Sequence, residues 1–288
     1  VQILLFKFSH FSYLLTLKYK KWYIYKNYFV FIIQLGGIVL PFYTIKSKSR
    51  SWDGEPVGIL ILDAAYPCVP GNVGNATTFP FPVRYHEVRG ASIDRLLNQR
   101  DPSLLAPFVE GAQKLEAEGV RAITGACGFM ALFQQEIADA VDVPVFMSSM
   151  LQVPFIVRTL KRGKKVGIIS ANASVMTEQH LRNVGITADM PVVLYGMESK
   201  DEFRSSVLEE KGTMDTDIVE REILEVCDRM LAENPEVAAI QLECSDLPPF
   251  AAAVHRHTGL PVFDFITMIR HFESALNPTE YVGPQYGM

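Results

Sequence analysis

Short apolar runs rich in β-branched residues alternate with segments of helical period from about residue 56 to residue 276. Runs of the first kind are typical of buried strands, and segments of the second kind are typical of amphipathic helices. A chain that alternates strands and helices at these lengths builds parallel sheets with right-handed crossovers. The pattern therefore predicts an α/β fold.

The predicted elements form two successive series. In the first series we predict strands at 57–62, 82–88, 120–127 and 143–148, and helices at 103–118, 128–141 and 150–160. In the second series we predict strands at 166–170, 191–195, 237–244 and 262–264, and helices at 174–184, 215–233, 245–257 and one ending at 276. A loop rich in Pro, Gly and Asn occupies 64–82. Loops of that length inside a compact domain usually serve a function.

The two series share landmarks at matching distances. Cys127 is followed 17 residues later by Pro144, and Cys244 is followed 17 residues later by Pro261; each Pro opens the tripeptide Pro-Val-Phe. The offset of 117 residues is too long for a solenoid repeat and suits a duplicated domain. We therefore predict two pseudo-symmetric three-layer α/β/α domains with parallel sheets and the active site between them. The first domain is placed at 56–150 and the second at 151–261. Segment 262–288 is a candidate for completing the first domain.

The first 55 residues differ from the rest of the chain. They carry eight Lys or Arg against two acids, and the stretch 27–45 has no charged side chain. That length can just span a bilayer, although Gln34, Gly36, Gly37 and Pro41 weaken it as a membrane helix. We expect a leader outside the fold, with a membrane anchor at 27–45 as the alternative. We accordingly expect a cytoplasmic protein, or a membrane-tethered one if the anchor is real.

Charge excludes one class of partner. The formal net charge of −5 combines +6 on residues 1–55 with −11 on residues 56–288. An acidic globular part argues against nucleic acid, because phosphate binding needs a basic face. The hydrophobic content of 49% excludes disorder for most of the chain.

The strand-end cysteines carry the candidate chemistry. The first lies in Gly125-Ala-Cys127-Gly128-Phe129 and the second in Leu242-Glu-Cys244-Ser245-Asp246. Over about residues 56–276 the chain resembles the PLP-independent aspartate/glutamate racemase superfamily, which includes hydantoin racemase, maleate isomerase and arylmalonate decarboxylase. The family motif resembles C-N-T in the first half and G-C-T in the second. This chain departs from it by lacking the Asn and Thr after Cys127, while it keeps a hydroxyl after Cys244.

Two thiols suit the reaction that this resemblance implies. Inversion of a stereocentre next to a carboxylate removes a proton from one face of the carbon and returns one to the other face. Cys127 and Cys244 are the predicted acid/base pair, each directly before a predicted helix whose N-terminus lowers a thiol pKa. Asp63 is expected to hold or relay the proton of Cys127, and Asp246 that of Cys244. The alternatives are a loop-capping residue for Asp63 and a helix N-cap for Asp246.

Further polar groups are expected to hold the substrate. Donors for the carbanion and its carboxylate are predicted at Gly128, Ser170, Asn172 and Ser245, and the long loop is expected to contribute Asn75 and Thr77.

Neither a cofactor nor a metal is predicted. The four cysteines form no metal-ligand spacing with the six histidines, and no glycine-rich phosphate loop opens a helix. The leading hypothesis is a cofactor-independent racemase or epimerase of a small carboxylate or amino acid. The alternatives are an enzyme like maleate isomerase or arylmalonate decarboxylase, and a catalytically silent carboxylate-binding protein. A homo-oligomer is left open.

Overall fold

The computed structural model describes residues 4–5, 22–25, 28–31 and 53–281. The chain divides into two units, residues 1–46 and residues 47–288. In the first unit, an antiparallel sheet has the order β1–β3–β2, with β1 Leu4–Leu5, β2 Trp22–Tyr25 and β3 Tyr28–Phe31. The anchor predicted at 27–45 lies outside the described residues apart from β3. In the described ranges, no helix has both the length and the apolar character needed to cross a bilayer.

Two parallel four-stranded sheets form the centre of the second unit. The first sheet has the order β5–β4–β6–β7, with β4 Val57–Leu62, β5 Val83–Val88, β6 Ala122–Gly125 and β7 Val145–Phe146. The second has the order β9–β8–β10–β11, with β8 Lys165–Ser170, β9 Val192–Gly196, β10 Val237–Leu242 and β11 Val262–Phe263. Each half thus orders its strands second, first, third, fourth. The predicted duplicated α/β fold is confirmed.

Helices flank both sheets. In the first half they are α1 Ile93–Leu97, α2 Leu105–Ala117, α3 Gln134–Ala138 and α4 Val153–Thr159. In the second half and beyond they are α5 Glu178–Asn183, α6 Asp201–Phe203, α7 Thr216–Glu233, α8 Ala251–Thr258 and α9 Phe265–Leu276. Helices α1 and α6 were not predicted, because five and three residues are too few to display a helical period.

Both faces of each sheet are covered, which gives the three layers. On β4, Leu60 packs with Phe108 and Leu115 of α2, whereas Val57 and Ile59 belong to a separate apolar cluster on the other face. Side chains alternate between the faces of a strand, so a strand buried on both sides reads as a continuous apolar run. Full burial of a Leu or Ile side chain contributes roughly 1.5–3 kcal/mol.

The last helix returns to the first sheet. Strand β11 pairs with β10 of the second sheet, but Phe265 and Ile269 of the following helix α9 pack with Val57 and Ile59. Asp264 caps α9 by accepting the Thr267 N–H at 2.7 Å. The halves are therefore connected by packing as well as by chain. The domain boundaries drawn from the sequence stay a prediction.

Candidate active site

The structure brings the surroundings of the two cysteines together. Strands β6 and β10 hold equivalent inner positions in their sheets, and Cys127 and Cys244 each lie two residues after one of them. Ser245 Oγ donates to the Ala126 carbonyl oxygen at 2.7 Å, and the Val73 N–H donates to the Ser245 carbonyl oxygen at 3.3 Å. The residues flanking the two thiols are thus joined directly. Since carboxyl ends of parallel strands are where open α/β sheets bind ligands, both thiols belong to one candidate site.

Cys244 lies beside a buried carboxylate. Its Sγ–H donates to Asp246 Oδ2 at 3.3 Å, and Asn72 Nδ2 donates to Asp246 Oδ1 at 2.5 Å. The Tyr66 hydroxyl also hydrogen-bonds to this carboxylate. Burial raises the pKa of Asp246 to about 6, against the lowering effect of these hydrogen bonds. At neutral pH the carboxylate is mostly ionised and can accept a proton from the thiol.

Cys127 lies at the start of a 3₁₀ helix, Gly128–Phe133. Backbone N–H groups of Phe129 and Met130 lower its pKa, as expected for a helix N-terminus. Burial and the charge of Glu243 outweigh them, so the pKa of Cys127 lies well above the usual range for a thiol. The expectation of a lowered pKa is therefore wrong for the Cys127 thiol in this structure.

The pKa of the Cys244 thiol is also raised more by its surroundings than it is lowered. Burial, followed by the charges of Asp246 and Glu243, raises its pKa well above the ordinary value, and the charge of Cys127 adds to the rise. The helix predicted to follow Cys244 directly begins only with a 3₁₀ turn at Pro248–Phe250, because the intervening residues form a turn. Both thiols are accordingly protonated at neutral pH, and each needs a proton acceptor before it can act as a base.

Glu243 is a site residue that the sequence analysis missed. Its side chain is fully buried, and its Oε2 accepts the Ser170 hydroxyl at 2.9 Å. Burial raises the pKa of Glu243 to about 7, and the charge of Asp246 contributes to the rise. Two departures from the racemase motif mark the position: Gly128 replaces Asn after the first cysteine, and Glu243 replaces Gly before the second.

Four other predicted residues differ in how they relate to the site. Ser170 reaches the site through Glu243, and Ser245 through the Ala126 carbonyl oxygen. Asn172 instead caps a short 3₁₀ helix by accepting the Ser174 N–H at 3.1 Å. Gly128 lies directly against the Glu243 carboxyl group.

Three predicted residues of the first half have other partners. Asp63 is exposed, and its Oδ2 accepts the Gly90 N–H at 2.8 Å, which is the loop-capping alternative. Asn75 donates to the Cys68 carbonyl oxygen at 2.8 Å and accepts the Thr77 hydroxyl at 2.6 Å. Two other loop residues, Tyr66 and Asn72, reach the Asp246 carboxylate instead. The sequence analysis missed both, and the length of the loop was the signal that pointed to them.

Elsewhere in the described residues, the two features that bear on function are possible metal sites and cavities. Residues 53–281 contain no group of three or more His, Cys, Asp or Glu side chains that could hold a metal ion. A cavity of about 660 Å³ lies along β9 and α7, and Tyr195, Arg229 and Glu233 are among its lining residues. None of the cysteines lines it.

Comparison with known proteins gives the family. The family model for Asp/Glu/Hydantoin racemase matches residues 91–269. A dimethylsulfoniopropionate lyase of Durusdinium sp. clade D is 32% identical over 75% of this chain and 73% of its own length. Dimethylsulfoniopropionate lyase 3 of Emiliania huxleyi is 30% identical over 75% of this chain and 58% of its own length.

A solved structure agrees at the level of the fold. Unliganded arylmalonate decarboxylase superposes with a TM-score of 0.50 and 15% identity, over 81% of this chain and 97% of that protein. The repeated sheets, the strand-end cysteines and the match to the family model lead to one conclusion: the chain belongs to the Asp/Glu/Hydantoin racemase family.

Proposed function

We propose that this protein abstracts a proton from the carbon next to the carboxylate of a small molecule, and that its substrate is dimethylsulfoniopropionate. The observation that carries the first part is the buried Cys244–Asp246 hydrogen bond at 3.3 Å, in a site that also holds Cys127. The 32% identity to a protein named as a dimethylsulfoniopropionate lyase supports the second part. The product would be acrylate.

The proposed reaction is a β-elimination. As the substrate binds, Cys244 gives its proton to Asp246, and the thiolate takes the proton from the carbon next to the substrate carboxylate. The electron pair left on that carbon forms the C=C bond, and the C–S bond electrons leave with dimethyl sulfide. The enzyme returns to its starting state when Asp246 releases one proton to solvent. The overall change is one sulfonium zwitterion into acrylate, dimethyl sulfide and a proton.

The electrostatics of the site favour a substrate with a cationic group. Burial first, and then the charge of Asp246, raises the pKa of Tyr66 well above its usual range. The charged groups that raise the pKa of Cys127 and Cys244 are also acidic. A sulfonium group would offset this negative charge.

A second candidate is a racemase or epimerase of an amino acid. The observation that favours it is the pair of thiols at equivalent strand ends, since inversion needs an acid/base group on each face. A decarboxylase would form a carbanion next to the remaining carboxylate by losing carbon dioxide instead of a proton, and an isomerase would form one by adding a thiolate to a C=C bond. A silent carboxylate-binding protein would keep the site without turnover.

One experiment separates these functions. The purified protein is incubated with dimethylsulfoniopropionate, and headspace dimethyl sulfide is measured by gas chromatography. In parallel, a panel of amino and dicarboxylic acids in D₂O is followed by NMR for exchange at the carbon next to the carboxylate. We expect dimethyl sulfide and acrylate in equal amounts. Inversion of an amino acid without dimethyl sulfide would favour the racemase, and binding without either reaction would favour the silent protein.

Serine variants test the role of the thiols. Cys127→Ser and Cys244→Ser should each lower kcat by at least ~10²-fold, because a hydroxyl is a far weaker acid and base than a thiol. Cys227→Ser is the matched control, because Cys227 is a buried cysteine of α7. Wild-type turnover by either of the first two variants would contradict the mechanism. A cytoplasmic location stays a prediction, and the oligomeric state stays open.

A further inference from the structure

One oxygen of Glu243 has no protein partner. The side chain is 0% exposed, and Oε2 accepts the Ser170 hydroxyl, but within the described residues Oε1 has no hydrogen-bond partner. Most buried polar atoms are satisfied, since an unsatisfied one is unfavourable by a few kcal/mol. A carboxyl oxygen that is enclosed and has no partner among the described residues is free to pair with a molecule bound at the site.

The unpartnered oxygen lies beside both candidate catalytic residues. A Cβ added to Gly128 would stand 1.8 Å from Oε1, so this oxygen occupies the space that a side chain after Cys127 would take. Glu243 itself directly precedes Cys244, and its charge raises the pKa of both thiols. The carboxyl group therefore lies where a molecule contacting Cys127 and Cys244 would meet it.

The groups facing Glu243 do not supply a counter-charge. Among the described residues, the titratable groups that interact with Glu243 are Asp246, Cys127 and Cys244, and each is either neutral or negative. Ser170 and the Ala171 N–H donate hydrogen bonds to it but carry no charge. A buried carboxylate in such surroundings is stabilised either by a proton or by a bound cation.

We propose that Glu243 is the recognition group for a small onium cation, sulfonium or ammonium, carried by the substrate. The cation replaces the proton of the carboxyl group: the neutral acid and the free onium ion become an ion pair, and one proton passes to the buffer. This inference rests on the proposed function for the location of the substrate, but it does not require turnover.

The test uses a sulfonium ligand that cannot be eliminated. Dimethylsulfonioacetate has no β-carbon. Its counterpart, (methylthio)acetate, has the same carboxylate and an uncharged thioether sulfur in place of the sulfonium. Binding of both is measured by titration calorimetry at pH 6 and pH 8, in buffers of different ionisation enthalpy. The proteins are the wild type, Glu243→Gln, and Glu198→Gln as the control. Glu198 is a carboxylate of the same half that accepts the Ala173 N–H.

We expect the wild type to bind the sulfonium ligand at least ~10-fold more tightly than the thioether at pH 8, a preference of about 1.4 kcal/mol. At pH 6 the carboxyl group of Glu243, with a pKa of about 7, is mostly protonated, so binding should release close to one proton more from the wild type than from Glu243→Gln. At pH 8 the carboxyl group is mostly ionised, so the two proteins should release almost the same number of protons. Glu243→Gln should lose the preference while still binding the thioether, and Glu198→Gln should keep it.

The outcomes distinguish the two proposals. Equal binding of both ligands by the wild type, no binding of either, or an unchanged preference in Glu243→Gln would each overturn the onium assignment. Glu243-dependent sulfonium binding without release of dimethyl sulfide from dimethylsulfoniopropionate would support the onium assignment and refute the lyase. Lyase activity with an unchanged KM in Glu243→Gln would do the reverse.

Discussion

The buried carboxyl group of Glu243 should make the protein less stable as the pH rises. A glutamate has an ordinary pKa of 4.5, and burial raises that of Glu243 to about 7 in the folded state. The folded protein therefore holds this proton more tightly than the unfolded chain does. The stabilising contribution is fully present below pH 4.5 and is lost as the pH rises through 7. The difference between the two pKa values corresponds to about 3 kcal/mol.

Glu243→Gln removes this ionisation and keeps the shape of the side chain. An amide oxygen can still accept the Ser170 hydroxyl. We expect the free energy of unfolding of the variant, relative to the wild type, to be constant below pH 4.5 and to rise by about 3 kcal/mol by pH 8. In a folded unit of this size the gain corresponds to an increase in Tm of roughly 6–12 °C.

The assay is urea unfolding at a series of pH values between 4 and 8. Taking the difference between two proteins that share all other titrating groups cancels their contributions. Glu198→Gln controls for the general effect of removing one carboxylate. The reasoning is refuted if the difference between Glu243→Gln and the wild type does not change with pH.

Two further predictions concern packing and acid stability. Gly128→Ala would place a Cβ 1.8 Å from Glu243 Oε1 and 2.7 Å from the Glu243 carbonyl oxygen, so it should destabilise the fold by about 1–3 kcal/mol in urea unfolding. In a Glu243→Ser background the cost should be smaller, and an equal cost in both backgrounds would argue against the contact. Burial, together with the charge of Arg100, lowers the pKa of His180 to about 4, so its contribution to stability is present above pH 6.5 and is lost as the pH falls through 4. Since Gln suits the capping-box position that His180 holds in α5, His180→Gln should flatten the decline of Tm between pH 6.5 and pH 4; an unchanged decline would show that other groups cause it.

The fold could be predicted from the sequence because the patterns that indicate it are local and occur twice. The apolar run at 57–62 became β4 with the same bounds, and the matching cysteine frames gave the shared strand order. The predicted helix at 128–141 was less regular, beginning as the 3₁₀ helix Gly128–Phe133 before α3. Apolar periodicity does not distinguish a 3₁₀ start from an α-helical one over so few residues.

The part of the candidate site that could be predicted from the sequence consists of residues that come just after a strand. Cys127, Cys244 and Asp246 come together because strand order and chain direction fix the position of the residues just after β6 and β10. The path of the loop at 64–82 is fixed by tertiary contacts instead, so the structure brings Asn72 to the site where the sequence suggested Asn75.

The contacts of Asp63 and the importance of Glu243 were not evident from the sequence, for different physical reasons. The end of β4 was located correctly, but the Asp63 carboxylate is directed to the Gly90 N–H, and side-chain direction at a strand end cannot be read from spacing. Glu243 is a charged residue that is fully buried, whereas most glutamates are exposed. The available signal was that Glu243 and Gly128 occupy the two positions that depart from the racemase motif. In the structure the Glu243 carboxyl group fills the space next to Gly128.

The position of α9 determines when the first half can finish folding during synthesis. Residues 57–146 leave the ribosome early, yet Val57, Ile59 and Ala122 of the first sheet are covered by Phe265 and Ile269, which are made more than a hundred residues later. Until α9 appears, that face of the sheet is covered only in part, by residues such as Val73 and Phe79. Domains generally fold as units in the order of synthesis. The apolar core on this face of the first half is therefore completed only by α9, which is made just after β11 completes the second sheet.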